Sequence, residues 1–300
     1  MSALASSPAR PDFSGLWIPL VTPLRNGAVD HPALAALTTR LAAQGIAGFV
    51  VCGSTGEAAA LDEHERLAVL DTVGSAAPGV PRVMGLGGEH LAHALDSVRR
   101  LAGRGLAALL VPAPSYIRPS QAGLAQWFTA IADASDVPLL VYDIPYRTGS
   151  TLARETLLSL AAHPRIVGVK DCSGDPAKVR ALIADGRLQV LAGEDAQVLA
   201  TMAEGGTGAI AASAHVHTPR WVRLVAALKS GRLTEGRALW QPLAPLVEAL
   251  FAEPNPGPVK ALLAASGEMT AELRAPMTGA TPGLLERLRA IDAAIEPVER

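Results

Sequence analysis

The chain has 300 residues, a formal net charge of −2 and 49% hydrophobic residues. A near-neutral balance offers no bulk attraction to nucleic acid or to an anionic membrane surface, and this apolar content can fill one large core. Its two cysteines, Cys52 and Cys172, stand far apart in apolar runs and give neither a disulfide framework nor a metal-ligand spacing, so a reducing cytoplasm is the expected setting. Residues 1–14 hold no apolar stretch of signal-peptide length. The most apolar late segment, 238–252, is broken by Gln241, Pro242, Pro245 and Glu248, which argues against a membrane span.

From the N-terminus, short runs rich in Val, Ile and Leu alternate with longer Ala-rich stretches of helical character. A strand at 16–21 precedes a helix at 32–44, and a strand at 48–52 precedes a helix at 63–75. The pattern repeats at 82–85 with 89–102, at 107–111 with 120–134, and at 139–142 with 154–161. It continues at 166–170 with 176–184, at 188–191 with 195–203, and at 208–211 with 218–229. Asp30 and Ser120 stand at helix-capping positions, and Gly45, Gly103 and Gly186 at helix ends. Eight strand–helix units predict an α/β chain folded as a (β/α)8 TIM barrel over residues 1–230. Residues 231–300 predict an appended helical region packed on that barrel, turned sharply at Pro254-Asn255-Pro256-Gly257-Pro258.

Active groups of such barrels sit at the carboxyl ends of the strands. One such end reads Ile166-Val167-Gly168-Val169-Lys170-Asp171. Strand alternation places Ile166, Gly168 and Lys170 on one side and Val167 and Val169 on the other, with Gly168 leaving space beneath Lys170. A free lysine, with a pKa near ~10.4, is a poor nucleophile at neutral pH, and desolvation in a barrel frees its amine for attack on a carbonyl. The plain alternative is a surface lysine at a strand end. A second end, Gly53-Ser54-Thr55-Gly56-Glu57, can turn N–H groups and hydroxyls toward a carboxylate, or can be an ordinary strand–helix turn. At a third, Tyr142 can exchange a proton and Arg147 offers a planar fork for a carboxylate, whereas Tyr146 is read as a packing residue. The fourth holds Tyr116 in a loop stiffened by Pro112, Pro114 and Pro119. Competing constellations are weaker. His215 and His217 could join Asp171, Glu194 or Asp195 around a metal, but a plain loop after the last strand is the simpler reading. Gly205-Gly206-Thr207-Gly208 precedes the last strand and so lies at the wrong end of the barrel for a phosphate.

In order along nearly the whole chain, GSTGE, PSYIRPSQ, YDIPYRTG, VGVKD, AGED, GAIAASA and EPNPGPVK resemble the dihydrodipicolinate synthase and N-acetylneuraminate lyase superfamily of Schiff-base aldolases. That resemblance implies that Lys170 forms an imine with pyruvate or a related 2-oxo acid. It implies that Ser54 and Thr55 bind the carboxylate, and that Tyr142 moves protons near the imine through Ser54 to Tyr116, a residue that a neighbouring subunit supplies in many members. Gly193 and Ile210 would line the pyruvate pocket. No cofactor and no metal is implied, because the protonated imine is itself the electron sink. The expected partners are pyruvate and a small aldehyde, in a homotetramer built as a dimer of dimers. The pattern around Arg147 is similar to that of the dihydrodipicolinate synthases, which points to aspartate semialdehyde as the aldehyde. A 2-keto-3-deoxy sugar-acid aldolase or dehydratase is the alternative. Three positions depart from the synthase pattern: Ser54 for threonine, Asp143 for asparagine and Asp171 for glutamate. The last two could reshape the pocket for a different aldehyde. The residues that bind inhibitory lysine in many relatives are also changed, with Ala58, Glu63, Arg66, Glu89, His93 and Ser115 at those positions, so lysine inhibition is expected to be absent.

Overall fold

The computed structural model describes residues 11–298. Ten strands occur in chain order: β1 Gly15–Pro19, β2 Leu24–Arg25, β3 Ala28–Val29, β4 Gly48–Val51, β5 Arg82–Gly85, β6 Ala108–Pro112, β7 Leu139–Asp143, β8 Ile166–Asp171, β9 Gln189–Ala192 and β10 Gly208–Ile210. β1 and β4 through β10 form a closed barrel with parallel neighbours, β10 pairing with β1 to complete the ring. The eight predicted strands are these eight, with ends shifted by no more than two residues. β2 and β3 form a two-residue-per-strand hairpin that hydrophobic patterning does not register.

Strands buried on both faces read as continuous apolar runs, and β7 and β8 are buried along their whole length. One hydrophobic cluster fills the space between barrel and helices, and a second fills the barrel itself with Trp17, Val50, Leu110, Leu140, Val167 and Leu191 among others. Gln189 closes the N-terminal end of the barrel by accepting from the Phe13 N–H at 2.8 Å and donating to the Pro11 carbonyl at 2.8 Å. The strand alternation expected for Ile166–Lys170 is corrected here. Val167 belongs to the barrel interior and Ile166 to the outer cluster, because the β7–β8 register shifts between Leu139 and Leu140. Such an irregularity adds one residue to one strand and exchanges the faces before it. Beyond the shift, Gly168 faces Leu140 inside the barrel.

Helices follow the barrel strands at the positions the sequence predicts. Asp30 accepts from the Ala33 N–H at 3.1 Å and Ser120 from the Gly123 N–H at 3.2 Å, as capping residues do. A four-residue helix at Pro145–Thr148 follows β7 and carries Tyr146 and Arg147 to the barrel mouth. After the helix Thr218–Lys229 come Leu233–Trp240, Ala244–Leu250, Gly257–Ala265 and Pro282–Ala293. Among the described residues, no helix is long and apolar enough to cross a membrane. Residues 1–10, part of the segment read for a signal peptide, lie outside the described residues.

Candidate active site

At the carboxyl end of the barrel a cavity of about 480 Å³ is lined by Ser54, Thr55, Tyr142, Tyr146, Arg147, Lys170, Gly193, Glu194, Asp195 and Ile210, with Pro19 and Ala212. The segment Phe251, Ala252, Glu253, Pro254 and Asn255, from the C-terminal helical region, closes one side. Seven of the eight residues singled out in the sequence therefore meet in one place.

β8 carries Lys170 into this cavity with its side chain only 4% exposed. Burial pushes the amine below the usual ammonium range, because a charge there gives up its hydration; Asp195 and Glu194 pull the other way, more weakly. The Lys170 Nζ lies 4.3 Å from the centre of the Tyr142 ring on the adjacent strand. β7 and β8 pair Tyr142 directly with Lys170, so the sheet register itself sets this contact. The Tyr142 hydroxyl stands 3.5 Å from Ser54 Oγ, and burial holds its pKa well above the ordinary phenol value. Thr55 Oγ1 accepts a hydrogen bond from Asn255 Nδ2 at 3.0 Å. Asp195 accepts from the N–H groups of Ala212 at 3.2 Å and Ser213 at 2.6 Å, tying the end of β9 to the turn after β10. Burial raises that carboxyl to about 6.

Gly193 has no room for a side chain. A Cβ there would come within 2.5 Å of Cys172 Sγ and 2.7 Å of Lys170 Cγ. Ile210 supplies apolar wall from β10.

Tyr116 is 89% exposed and does not line the cavity of its own chain. Its loop runs along the surface, with backbone φ of +70° at Tyr116 and +43° at Arg118. Tyr146 is not a packing residue: it is 64% exposed, lines the cavity, and donates its hydroxyl to Glu194 Oε1 at 3.0 Å. Asp143 and Asp171 do not line the cavity. Each follows an inward-facing residue on its strand and so points behind the barrel wall. There Asp143 takes the Lys178 ammonium at 2.5 Å, and Asp171 accepts from the Ser173 hydroxyl and N–H. Asn255 and Glu194 line the cavity but were not singled out as substrate-binding. Asn255 reaches the site across 200 positions of sequence, and only its place in the EPNPGPVK motif hinted at it.

The histidines have structural partners. His215 is fully buried, donates from Nδ1 to the Ala212 carbonyl at 2.8 Å and accepts at Nε2 from the Val21 N–H at 3.2 Å. Burial pushes it down to about 4, which fixes it as the neutral ring that this pairing needs. His217 Nε2 lies 2.9 Å from Asp292. Among the described residues, no group of three or more His, Cys, Asp or Glu is arranged to hold a metal ion.

Fold and site together define a (β/α)8-barrel lyase of the class that works through a buried lysine at the barrel mouth. Residues 12–294 match the model of the dihydrodipicolinate synthetase family, and the chain belongs to that family. It is 37% identical over 289 residues to the 4-hydroxy-tetrahydrodipicolinate synthase of Haloarcula marismortui, covering 95% of this chain and 94% of that one. It is 36% identical over 283 residues to the enzyme of the same name from Syntrophus aciditrophicus, covering 93% and 97%. Among solved structures, the dihydrodipicolinate synthase of Acinetobacter baumannii in complex with pyruvate superposes with a TM-score of 0.91 at 32% identity, over 94% of this chain and 99% of that one.

Proposed function

We propose that this protein condenses pyruvate with aspartate semialdehyde as a 4-hydroxy-tetrahydrodipicolinate synthase. The observation that carries the reading is Lys170, buried inside the barrel mouth, where lost hydration lowers the pKa of its amine. Its Nζ adds to the keto carbon of pyruvate, the carbonyl oxygen leaves as water, and a protonated imine remains. The imine draws electrons from the adjacent methyl, which loses a proton to give an enamine. Tyr142 carries that proton and returns one to the aldehyde oxygen as the enamine carbon attacks the aldehyde, a role supported by its closeness to Lys170 and Ser54. Ser54 and Thr55 hold the pyruvate carboxylate with their hydroxyls and loop N–H groups, and Gly193 and Ile210 shape the floor.

The cavity mouth also carries a cation, Arg147, and the carboxylates Glu194, Asp195 and Glu253 are in its lining. Opposite charges at one mouth suit an aldehyde that bears both a carboxylate and an amino group. An aldehyde of that kind also explains the product. Its amino group can attack the imine carbon, expel Lys170 and close a six-membered ring that retains the new hydroxyl. Relatives named for a 4-hydroxy-tetrahydrodipicolinate product, and a related structure holding pyruvate, support this reading. Tyr116, exposed beside the half-exposed Ile117, is assigned to the site of a second copy in a homotetramer.

The test is turnover of purified protein with pyruvate and either aspartate semialdehyde or the aldehydes released from 2-keto-3-deoxy sugar acids. The expected result is ring product from aspartate semialdehyde, with Arg147→Ala raising its KM at least tenfold and leaving that of pyruvate nearly unchanged. Turnover confined to sugar-acid substrates would transfer the assignment to that alternative.

A further inference from the structure

The loop that carries Ser54 and Thr55 belongs to no long helix or strand, and it holds left-handed backbone at two non-glycine residues, Cys52 at φ +52° and Glu57 at φ +54°. Such a conformation persists only where surrounding contacts impose it. Contacts from outside the loop do so here. Thr22 donates its hydroxyl to the Gly56 carbonyl at 2.8 Å. Asn255 donates to Thr55 at 3.0 Å. Lys260, 0% exposed, reaches from the helix Gly257–Ala265 to place its ammonium 2.5 Å from Glu57 Oε1 and 2.9 Å from the Thr22 carbonyl. The other Glu57 oxygen accepts the Arg274 N–H at 3.2 Å. Neither Glu57 nor Lys260 lines the cavity.

We infer that the buried Glu57–Lys260 pair is a positioning device for the 2-oxo-acid carboxylate: it clamps the Ser54–Thr55 loop to the C-terminal helical region so that hydroxyls and N–H groups converge on one anion. The inference deepens the proposed function and rests on its reading of the cavity as a 2-oxo-acid site. A buried ion pair is a weak device for stability alone, since apolar replacements of similar volume often do as well, so its place beside a binding loop points to another role. Asn255 and Lys260 lie five positions apart on one segment and grip the loop at Thr55 and Glu57, two positions apart. Loosening either end frees the residues between. Lys170 stands on β8, outside this clamp, so its reactivity should survive when the clamp fails.

The experiment compares parent, Lys260→Met, Glu57→Gln and the double variant E57Q/K260M by borohydride trapping of pyruvate on Lys170 across a pyruvate titration, with thermal melts of each. Each single variant leaves a buried group without its partner and is expected to melt lower. The double variant leaves no unpaired charge and is expected to recover most of the melting temperature. The pyruvate concentration for half-maximal trapping should rise at least tenfold in all three, the double variant included. Trapping at saturation should still reach about one adduct per chain, and the KM of the aldehyde should move less than threefold. Half-saturation that returns to the parent value along with the melting temperature would make the pair merely structural and overturn the inference. Half-saturation within twofold of the parent in the double variant would overturn it as well, even if neither single variant folds. A parent that traps no pyruvate would overturn the functional reading itself, and this inference with it.

Discussion

At the scale of single residues, the site works by difference in environment. Lys170 and Tyr142 are neighbours across two paired strands, both buried, and burial moves them in opposite directions: the amine toward its neutral form at lower pH, the phenol toward staying protonated. A neutral amine attacks a carbonyl, and a protonated phenol supplies a proton, so both shifts favour the condensation. Tyr142→Phe removes the hydroxyl and little volume. Its kcat should fall by roughly the 10²–10⁴-fold typical of a lost acid–base group, with pyruvate trapping still measurable; steady-state rates within a factor of two of the parent would remove Tyr142 from the proton path. Lys170, Tyr142 and Arg147 were legible in the sequence because each ends or follows an apolar run at a strand's carboxyl end. Tyr146 was not. An aromatic residue beside a proline reads as packing, and its hydrogen bond to Glu194 joins two strand ends 48 positions apart. Asp143 and Asp171 were misplaced for a complementary reason: their sequence neighbours line the cavity, but successive strand residues face opposite sides of the wall.

At the scale of elements, the barrel strands were readable because parallel strands buried on both faces must be apolar throughout, and the units are separated by helices with recognisable caps. The hairpin β2–β3 and the helix Pro145–Thr148 were not, since two and four residues carry no periodicity. Neither was the register shift in β7–β8, which depends on pairing rather than on either strand alone. That shift decides which residues fill the barrel beneath Lys170. Packing at the top of β8 and β9 is equally specific. Gly193→Ala would put a methyl 2.5 Å from Cys172 Sγ, 2.7 Å from Lys170 Cγ and 2.8 Å from the Asp171 carbonyl oxygen, and of these only the two side chains can move away. The variant should fold, as judged by circular dichroism and a melting temperature within several degrees of the parent. Its rate of pyruvate trapping should drop by at least a hundredfold. Parent-like trapping would show that the Lys170 rotamer does not depend on this contact.

At the scale of the whole molecule, two surfaces connect the site to its surroundings. The C-terminal helical region is one, since it supplies Asn255 to the cavity and Lys260 to the loop beneath it. The exposed loop of Tyr116 is the other. If that tyrosine serves a second copy, mixing the inactive variants Lys170→Ala and Tyr116→Phe under conditions that exchange subunits should restore activity above either variant alone, and no recovery in verified mixed oligomers would confine Tyr116 to its own chain. Lysine sensitivity also belongs to this scale. Where lysine-sensitive relatives place effector-binding groups, Glu63 pairs with Arg100, and Ser115 donates to Glu89 at 2.7 Å. Glu63, Glu89 and Ser115 are thus engaged within the chain, and no aromatic ring stands at position 115 to cover a ligand. Millimolar lysine should leave the initial rate unchanged; saturable inhibition would contradict this.

The central claim is that one buried amine does the chemistry, and the most direct test is to find it covalently modified. Protein incubated with pyruvate and reduced with borohydride should gain one pyruvate-derived adduct per chain, located by peptide mass spectrometry on Lys170 and lost in Lys170→Ala. An adduct on Lys178, Lys229 or Lys260, or undiminished turnover with no adduct at all, would contradict the account.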